Sequence, residues 1–583
     1  MSLTAKILLG VTLVAAALFL FGLGGAPFVD PPEGFHASIA RDMLRLGDWI
    51  TPHVNGVRYF DKPPLLYWLM ATAFRLFGPG EAAARLGAAL PAIGVAVITA
   101  WIGNRLGGPR VGLIAGLMVA ANLELYLFAR LVKPDLLFVL CITLAFAGFA
   151  AAYLERGGGP RARWALLAFY AGLAASVLAK DLLGAVAPLA VLGVFFALTG
   201  ERAIVRRWVP WTGVLLFAAI AAPWYLLVEL RNPGFLWYTV VDNHILNVAR
   251  QRVFPDEDVP LGALEFLAVT AAGFAPWCLA APAALWRRLR GPWDSAEARV
   301  WLLLSLWAVA VLGTVALSPF KLPHYGLPAF PALALLVAKL WDEMLEGKPG
   351  APSTASVLIP PLIALGTGAV GAYLMWQGRI GLPEGVLASA DVATRSVSGQ
   401  SSGMAFLSPA HAGPLFRSVV MTLGLGALGA ALGLILRRPV IGLGALLAAM
   451  LAFLPISAEG FSLFARSRSA RGLAESVALR AAPADVLVHE GALENSGAWL
   501  MALDRPVKVL NGLMSNLAYG ATFPEARDTF WDAARLEAAW MGDQRVFLLT
   551  VRRPGASVTR GLPPGSVHLI QEGGGRRLYS NRP

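Results

Sequence analysis

The sequence predicts an all-α polytopic membrane protein with about 13 transmembrane helices and a small C-terminal α/β domain on the outer side of the membrane. Three observations predict this fold class. Only 14% of the 583 residues are charged and 57% are hydrophobic, whereas soluble domains carry about 25% charged residues. Apolar segments near the length of about 20 residues that crosses a bilayer recur along the chain. Basic residues concentrate in alternate short loops between them.

The apolar segments define the predicted spans. The first follows Lys6, and its length, with no persuasive small-residue cleavage site before Asp30, predicts a retained helix rather than a signal peptide. The spans are 7–25, 86–104, 111–128, 136–154, 164–179, 183–199, 209–229, 263–284, 300–317, 327–342, 354–376, 415–435 and 440–457. The basic loops are expected in the cytoplasm, which puts the C-terminal region on the outer side of the cytoplasmic membrane.

Three longer segments are expected on that outer side. The first, 27–80, contains the amphipathic stretches Ala37–Leu46 and Leu65–Phe77. These are too short or too polar to cross a membrane and predict helices at its interface. The other two segments are 231–261 and 377–414, and the second is rich in Ser, Ala and Gly, which predicts a loop.

A change of composition near residue 458 predicts two domains, a membrane domain over 1–458 and an outer α/β domain over 459–583. Helical patterns lie around Ser496–Leu503 and Pro524–Met541. Short runs between Gly, Pro, Asn and Asp residues indicate strands. These runs are Val486–His489, Val507–Leu510, Val546–Val551 and Val567–Gln571.

Composition also narrows the classes of partner. The net charge of +12 comes from short Arg-rich loops and not from a basic run interleaved with aromatics, so nucleic acid is not a predicted partner. The two cysteines, Cys141 and Cys278, lie in apolar segments and are expected to act as small buried hydrophobic residues. The sequence contains no Cys/His cluster, and it predicts neither a metal nor a cofactor.

Charged residues gather on the predicted outer side. Lys and Arg are more expected on the cytoplasmic side, and charges near the membrane are costly. For a single residue, snorkelling or an interfacial ion pair is the expected role, but the group as a whole favours a site for a charged substrate. The group consists of Asp30, Glu33, Arg58, Asp61, Lys62, Arg130, Lys133, Asp135, Lys180, Asp181, Lys321 and His324.

Three residues on this side stand out. Lys62 precedes Pro63 and Pro64, whose rings stiffen the backbone, so it is either a fixed charge for phosphate or an exposed turn residue. Asp135 opens a predicted span, where the helix dipole favours an acid; the alternative is a carboxylate that orients a base or a phosphate-binding cation. Tyr325 either donates a hydrogen bond or anchors the aromatic belt.

Eight segments follow one another in the order of a known family. They are Asp30–Met43, Gly47–Ile50, Asn55–Trp68, Lys133–Asp135, Ala179–Lys180, Ala222–Tyr225, Ala275–Trp277 and Lys321–Pro328. In this order the chain resembles the bacterial aminoarabinose transferases, which stand with the protein O-mannosyltransferases among the GT-C membrane glycosyltransferases. The Gly-Asp-Trp-Ile and Asp-Lys-Pro-Pro motifs are the most specific. The resemblance covers the whole membrane part, and the C-terminal domain agrees only in position and kind.

The resemblance implies a GT-C fold, a polyprenyl-phosphate sugar as donor, and transfer with inversion on the outer side. It implies that Lys62 and Tyr325 bind the donor phosphate, with Arg58 or Lys133 assisting. A carboxylate would accept or orient the acceptor proton. The binding residues expected on this basis are Lys62, Arg58, Tyr59, Lys133, Lys180, Tyr325, His324, Lys321 and Arg250.

The first outer loop departs from the family pattern at one important position. The family usually has an Asp-Glu pair there, with the Asp proposed as catalytic, whereas this chain has Pro32 followed by Glu33. The catalytic candidates are therefore Glu33, Asp30 two residues before the proline, and Asp135. Altered activity is a further alternative.

A second departure concerns a phosphate ligand. Asn247 stands where the family often has an arginine. Arg250 or Arg252 is the expected substitute.

The leading hypothesis is a glycosyltransferase that moves a sugar, with 4-amino-4-deoxy-L-arabinose as the best single guess, to lipid A or a related lipid. The protein is expected to be a monomer in the bacterial inner membrane, with its active site on the periplasmic side. An alternative is mannose-type transfer to a protein or another glycolipid. Two alternatives of another class are a lipid or sugar transporter, which scarce midplane charges disfavour, and an inactive homologue, which Pro32 keeps open.

Overall fold

The computed structural model describes residues 1–156, 158–254, 261–348, 350–380 and 409–583. Helices form the membrane part, and a sheet forms the C-terminal part. The helices are α1 (Leu3–Leu20), α2 (Glu33–Leu46), α3 (Leu65–Phe77), α4 (Glu81–Gly107), α5 (Pro109–Ala120), α6 (Leu123–Phe128), α7 (Asp135–Leu154), α8 (Gly159–Ala179), α9 (Leu183–Thr199), α10 (Trp211–Arg231), α11 (Ala263–Gly273), α12 (Ala281–Leu289), α13 (Ala296–Leu317), α14 (Phe330–Leu345), α15 (Thr354–Trp376), α16 (Pro409–Ile435), α17 (Pro439–Arg468), α18 (Arg471–Ala478), α19 (Gly497–Leu503) and α20 (Ala533–Met541). The strands are β1 (His53–Val54), β2 (Val57–Arg58), β3 (Val486–Glu490), β4 (Lys508–Leu510), β5 (Phe530–Trp531), β6 (Val546–Thr550), β7 (His568–Gly573) and β8 (Arg576–Ser580).

Nine helices within the described ranges are long and apolar enough to cross a membrane, or ten if one bent pair forms a single span. The multi-pass helical fold class is confirmed, but the predicted count of about 13 spans is not. Predicted span 111–128 is divided between α5 and α6, because the Asn122 side chain caps α6 by accepting from the Leu125 N–H at 2.8 Å. Predicted span 263–284 is the bent pair, which turns by 120° between α11 and Trp277. Pro276 lies in this break, where its ring cannot continue a helix.

The first outer segment contains the two short helices that the sequence predicts. α3 has the predicted bounds, and α2 begins four residues earlier than expected, at Glu33. Gly47 ends α2 in the left-handed conformation with φ 66°, which favours glycine. The predicted loop at 377–414 falls mainly outside the described residues.

The C-terminal part contains a six-stranded sheet in the order β5-β4-β3-β6-β8-β7. β3, β4, β5 and β6 are parallel, and β8 and β7 are antiparallel to their neighbours. The four predicted strands are present, and the sequence analysis missed two, β5 and β8. The predicted helix at 524–541 begins only at Ala533, after the Asp532 cap. α17 runs across residue 458, so the division into domains at that point stays a prediction.

The outer loop and the C-terminal domain share a core. Phe35 and Val54 from the loop belong to the same buried apolar cluster as Trp499 and Leu517. One close approach is between α2 and α19, where Gly34 and Gly497 face each other. A Cβ at Gly34 would lie 2.2 Å from the carbonyl carbon of Gly497, so only glycine allows this contact.

We expect Gly497→Ala to destabilise the protein by about 1–3 kcal/mol, the usual cost of overpacking. The added Cβ would lie 2.1 Å from the backbone nitrogen of Phe35. Thermal unfolding of the detergent-solubilised protein measures the change. Gly555→Ala is the matched control, because no heavy atom lies within 4 Å of its Cβ position among the residues described. Equal melting temperatures for the two variants would contradict the close contact.

Candidate active site

Lys62 and Asp61 form an ion pair in the segment between β2 and α3. The Lys62 Nζ lies 2.5 Å from Asp61 Oδ2, and Pro63 and Pro64 lead directly into α3. Burial opposes ionisation of both groups, but their mutual attraction raises the pKa of Lys62 and lowers the pKa of Asp61. Both side chains therefore stay charged at neutral pH.

Asp135, Lys180 and His324 meet from three separate elements. Asp135 is the first residue of α7, Lys180 follows α8, and His324 lies in the 3₁₀ turn Pro323–Ala329. Asp135 Oδ1 lies 2.7 Å from Lys180 Nζ, and its Oδ2 lies 3.4 Å from His324 Nε2. Burial lowers the pKa of His324 to about 4, so this imidazole is neutral at physiological pH. The Lys180 ammonium also lies 4.3 Å from the centre of the Tyr325 ring.

Lys133 differs from the other two lysines because no carboxylate of the described residues lies within 4 Å of its ammonium. Its Nζ lies 5.7 Å from the centre of the Phe128 ring. Burial lowers the pKa of Lys133, Asp135 opposes this, and the charges of Lys180 and Lys62 add to it. The ammonium groups of Lys62, Lys133 and Lys180 are therefore close enough to interact electrostatically.

We call Lys62, Asp61, Lys133, Lys180 and Asp135 the outer charged cluster. It contains three cations and two carboxylates, so one positive charge has no counter-ion within the cluster. An uncompensated cation in a partly buried site favours a bound anion, because the effective dielectric constant there is lower than in water. The arrangement can therefore bind a phosphate group.

Glu33 lies outside this cluster and is completely buried. Its two oxygens accept from Arg85 Nε and Nη2 at 2.9 and 2.8 Å. They also accept from the N–H groups of Val29 and Val132 at 2.8 and 2.9 Å. Arg85 is 1% exposed and donates to three backbone carbonyls, those of Leu23, Ala26 and Pro27. The Glu33 carboxylate therefore has a structural role, because it joins Arg85 of α4 to the backbone at Val29 and Val132.

Asp30 joins the first outer loop to the C-terminal domain. Its oxygens accept from the N–H groups of Ala470 and Ala498, each at 2.8 Å. One oxygen lies 3.9 Å from Arg576 Nη2. Burial raises the pKa of Asp30 to about 6, and Arg576 with the two N–H groups opposes this shift. Its contacts lie in the domain interface.

Arg58 and Tyr59 also lie apart from the cluster. Arg58 forms an ion pair with Glu525, donates to Asn232 Oδ1 at 2.8 Å, and stacks over Phe523 at 4.3 Å. Tyr59 is fully buried, and its ring packs edge-on against Tyr67 at 5.9 Å. Arg58 therefore contacts the C-terminal domain, and Tyr59 belongs to the core.

The remaining predicted phosphate ligands, Lys321 and Arg250, also contact residues outside the outer charged cluster. Lys321 is buried and donates to the Leu261 carbonyl at 3.3 Å. Arg250 is exposed, and its guanidinium lies 6.0 Å from the Phe320 ring. Of the catalytic and binding candidates, the structure thus gathers Lys62, Lys133, Lys180, Asp135, His324 and Tyr325.

The list of predicted catalytic and binding residues left out two nearby residues. Asp61 was counted among the outer charged residues but was given no role, although it directly precedes Lys62. Tyr519, in the C-terminal domain, had no signal in the sequence: it stacks on Tyr238 at 4.4 Å and packs on Phe60 at 5.3 Å. Within the described ranges, no three His, Cys, Asp or Glu side chains are grouped so that they could hold a metal ion.

Comparison with known proteins finds glycosyltransferases that use lipid-linked sugars, the class that the sequence resembles. Residues 30–239 match a family described as dolichyl-phosphate-mannose-protein mannosyltransferase. An undecaprenyl phosphate-alpha-4-amino-4-deoxy-L-arabinose arabinosyl transferase of Edwardsiella ictaluri is 30% identical over 359 residues, which cover 60% of this chain and 61% of that protein. The transferase of the same name from Aeromonas salmonicida is 30% identical over 334 residues, 57% of this chain and 59% of that protein. The chain thus matches about three fifths of the length of these relatives.

The solved structures extend the likeness of the fold to the whole chain. ArnT from Cupriavidus metallidurans bound to undecaprenyl phosphate superposes with a TM-score of 0.78 at 23% identity, covering 98% of this chain and 97% of that one. The chain has the fold of a GT-C membrane glycosyltransferase. Its resemblance to the aminoarabinose transferases is confirmed, and so is its predicted place as a multi-pass protein of the bacterial inner membrane.

We expect Glu33→Ala to lower the free energy of unfolding by about 3–5 kcal/mol, because it leaves the buried Arg85 charge without its partner. Thermal unfolding in detergent measures the loss. Glu475→Ala is the control, because this carboxylate is 64% exposed in its pair with Arg471.

The double variant Glu33→Leu/Arg85→Met tests the same pair from the other side. Since apolar side chains of similar volume often replace a buried ion pair at little cost, we expect it to be more stable than Glu33→Ala alone. Unchanged unfolding of Glu33→Ala would contradict the structural role of the pair.

Proposed function

We propose that this protein is a polyprenyl-phosphate-sugar glycosyltransferase that acts at the periplasmic face of the inner membrane. The observation that carries the proposal is the outer charged cluster, with its uncompensated Lys133 beside two lysine–carboxylate pairs. The fold it shares with ArnT bound to undecaprenyl phosphate supports the same substrate class. The arabinosyl transferases named above point to 4-amino-4-deoxy-L-arabinose as the sugar and, with the resemblance, to lipid A as the acceptor.

In this proposal the donor phosphate binds between Lys62 and Lys133, and the Tyr325 hydroxyl donates to it. Lys133 supplies the charge that no carboxylate of the described residues neutralises. Lys62 retains a full positive charge because of Asp61. Charge-assisted hydrogen bonds from ammonium groups suit a phosphate whose negative charge increases as it leaves.

The proposed reaction is a displacement at the anomeric carbon. The bond between this carbon and the phosphate oxygen breaks, and polyprenyl phosphate leaves with the electron pair. An acceptor oxygen forms a new bond to the same carbon on the opposite face, which inverts its configuration. Where the acceptor is a hydroxyl, its proton passes to a carboxylate.

Asp135 is the carboxylate that we propose for this proton. Its Oδ2 faces a neutral His324 at 3.4 Å, which is too long for a strong hydrogen bond. Lys180 fixes the other oxygen at 2.7 Å. Glu33 and Asp30 are weaker candidates, since their oxygens accept from buried partners.

A second candidate is transfer to a protein. The match of residues 30–239 to the protein mannosyltransferase family favours it. The same cluster would bind a polyprenyl-phosphate mannose, so the two candidates differ in sugar and acceptor and not in phosphate chemistry.

Transfer in proteoliposomes tests the proposal. Radiolabelled polyprenyl-phosphate sugars are supplied with lipid A, and we expect Lys62→Ala, Lys133→Ala and Asp135→Asn each to lower turnover by about 10²–10⁴-fold. Lys348→Ala is the control, since Lys348 pairs with Glu346 on the predicted cytoplasmic side. No turnover with any donor or acceptor, from a folded protein that binds polyprenyl phosphate, would favour an inactive homologue or a transporter.

The pH dependence of transfer provides a further prediction. Because burial lowers the pKa of His324 to about 4, raising the pH through 6–7 removes no proton from it. We expect the profiles of the unmodified protein and of His324→Asn to have the same shape between pH 5.5 and 8. A step near pH 6.5 that disappears in His324→Asn would contradict a neutral imidazole.

A further inference from the structure

Glu124 is a buried carboxylate that the proposed reaction does not use. It is 8% exposed, and its Oε2 has no hydrogen-bond partner among the described residues. A buried carboxylate without a partner is costly. Burial accordingly raises the pKa of Glu124 well above its ordinary value, and a cation beside Oε2 would favour the ionised form.

Thr270, in α11, has the same property. Its side chain is 4% exposed, and its hydroxyl has no hydrogen-bond partner within the described ranges. Thr270 and Gly273 lie three residues apart on one face of α11. A Cβ at Gly273 would lie 2.0 Å from Glu124 Oε2, so the Glu124 carboxylate lies directly against this face. Gly273 thus contacts Glu124 and lies about one helical turn from Thr270.

Backbone contacts and two glycines bring Glu124 and Thr270 close to the neighbouring segments. Asn122 Nδ2 donates to the Gly273 carbonyl at 3.0 Å, which joins the start of α6 to the end of α11. A Cβ at Gly326 would lie 2.6 Å from the Thr270 hydroxyl, so glycine at 326 allows this hydroxyl to approach the turn after Tyr325. A side chain at Gly273 would collide with Glu124, and one at Gly326 would collide with Thr270.

Glu124 and Thr270 lie next to the outer charged cluster. Phe128, one helical turn after Glu124 on the same face of α6, packs on His324 at 4.7 Å and on Lys133. Glu124 is also within electrostatic reach of Asp135. Glu124 therefore lies near the cluster that is proposed to bind the donor phosphate.

We infer that Glu124 and Thr270 form a subsite for the amine-bearing sugar of the lipid-linked donor, an inference that rests on the proposed function. A carboxylate forms charge-assisted hydrogen bonds with an ammonium group, and a threonine hydroxyl both donates to and accepts from sugar hydroxyls. A donor with a hydroxyl in place of the amine gains no ion pair here. The subsite thus selects amino sugars.

The test compares two polyprenyl-phosphate donors, one with 4-amino-4-deoxy-arabinose and one with arabinose, in proteoliposomes of the full-length protein. We expect Glu124→Gln to lower the ratio of kcat/KM for the amine donor to that for the hydroxyl donor by about tenfold or more, as loss of a charged hydrogen bond does. Thr270→Val should lower the ratio less. Glu297→Gln is the control, because Glu297 is exposed near the start of α13. An unchanged ratio in both Glu124→Gln and Thr270→Val would overturn the inference.

Binding measurements separate this inference from the proposed function. Tryptophan fluorescence gives the affinity for both donors and for polyprenyl phosphate without sugar, which also checks that each variant is folded. If the unmodified protein transfers neither sugar but prefers the amine donor, and Glu124→Gln removes this preference, the subsite stands and the proposed function fails. If the protein has no preference for the amine donor, the subsite is rejected.

Discussion

The buried ion pair of Glu33 and Arg85 is the interaction on which the outer half of the membrane part depends. Arg85 belongs to α4 and donates to backbone carbonyls that follow α1, while Glu33 opens α2. Glu33 also accepts from the N–H of Val132, the residue before Lys133. One buried pair thus connects α1, α2, α4 and the loop that presents the unpaired lysine. Since each ion is costly to bury alone, neither partner can move without the other.

The first outer loop contacts the C-terminal domain near its start and contributes to the outer charged cluster near its end. Asp30 and Gly34 contact the C-terminal domain through hydrogen bonds and a glycine crossing. About thirty residues later, Asp61 and Lys62 enter the cluster. Between them Phe60 packs on Tyr519 of the C-terminal domain at 5.3 Å. Docking of the C-terminal domain and positioning of Lys62 are therefore parts of one arrangement, and a change at the interface is expected to reach the site through this loop.

Hydropathy and basic loops are local signals, so the sequence predicted the multi-pass helical class but not the number of spans. The motifs singled out Lys62, Asp135 and Tyr325, and the roles of these residues stay predictions. The structural role of Glu33 could not be predicted from the sequence, because its partner Arg85 lies 52 residues away. No local sequence pattern relates the two residues. The short strand β5, of two residues, and β8, with Arg576 and Arg577 at its start, lack the apolar alternation that marks a strand. The bend after α11 was missed because its flanking segments have the composition of one span.

The charge balance of the outer charged cluster limits what it can bind. If Lys133 had a carboxylate partner as Lys62 and Lys180 do, the cluster would be neutral and would attract a phosphate only weakly. If no lysine had one, mutual repulsion and burial would lower their pKa values and favour loss of protons. Pairing two lysines keeps them charged without a ligand, and leaving the third unpaired retains one positive charge for the anion. Glu124 follows a different logic: burial raises the pKa of its carboxyl group well above the ordinary value, and a cation of the ligand beside this group would favour its ionised form.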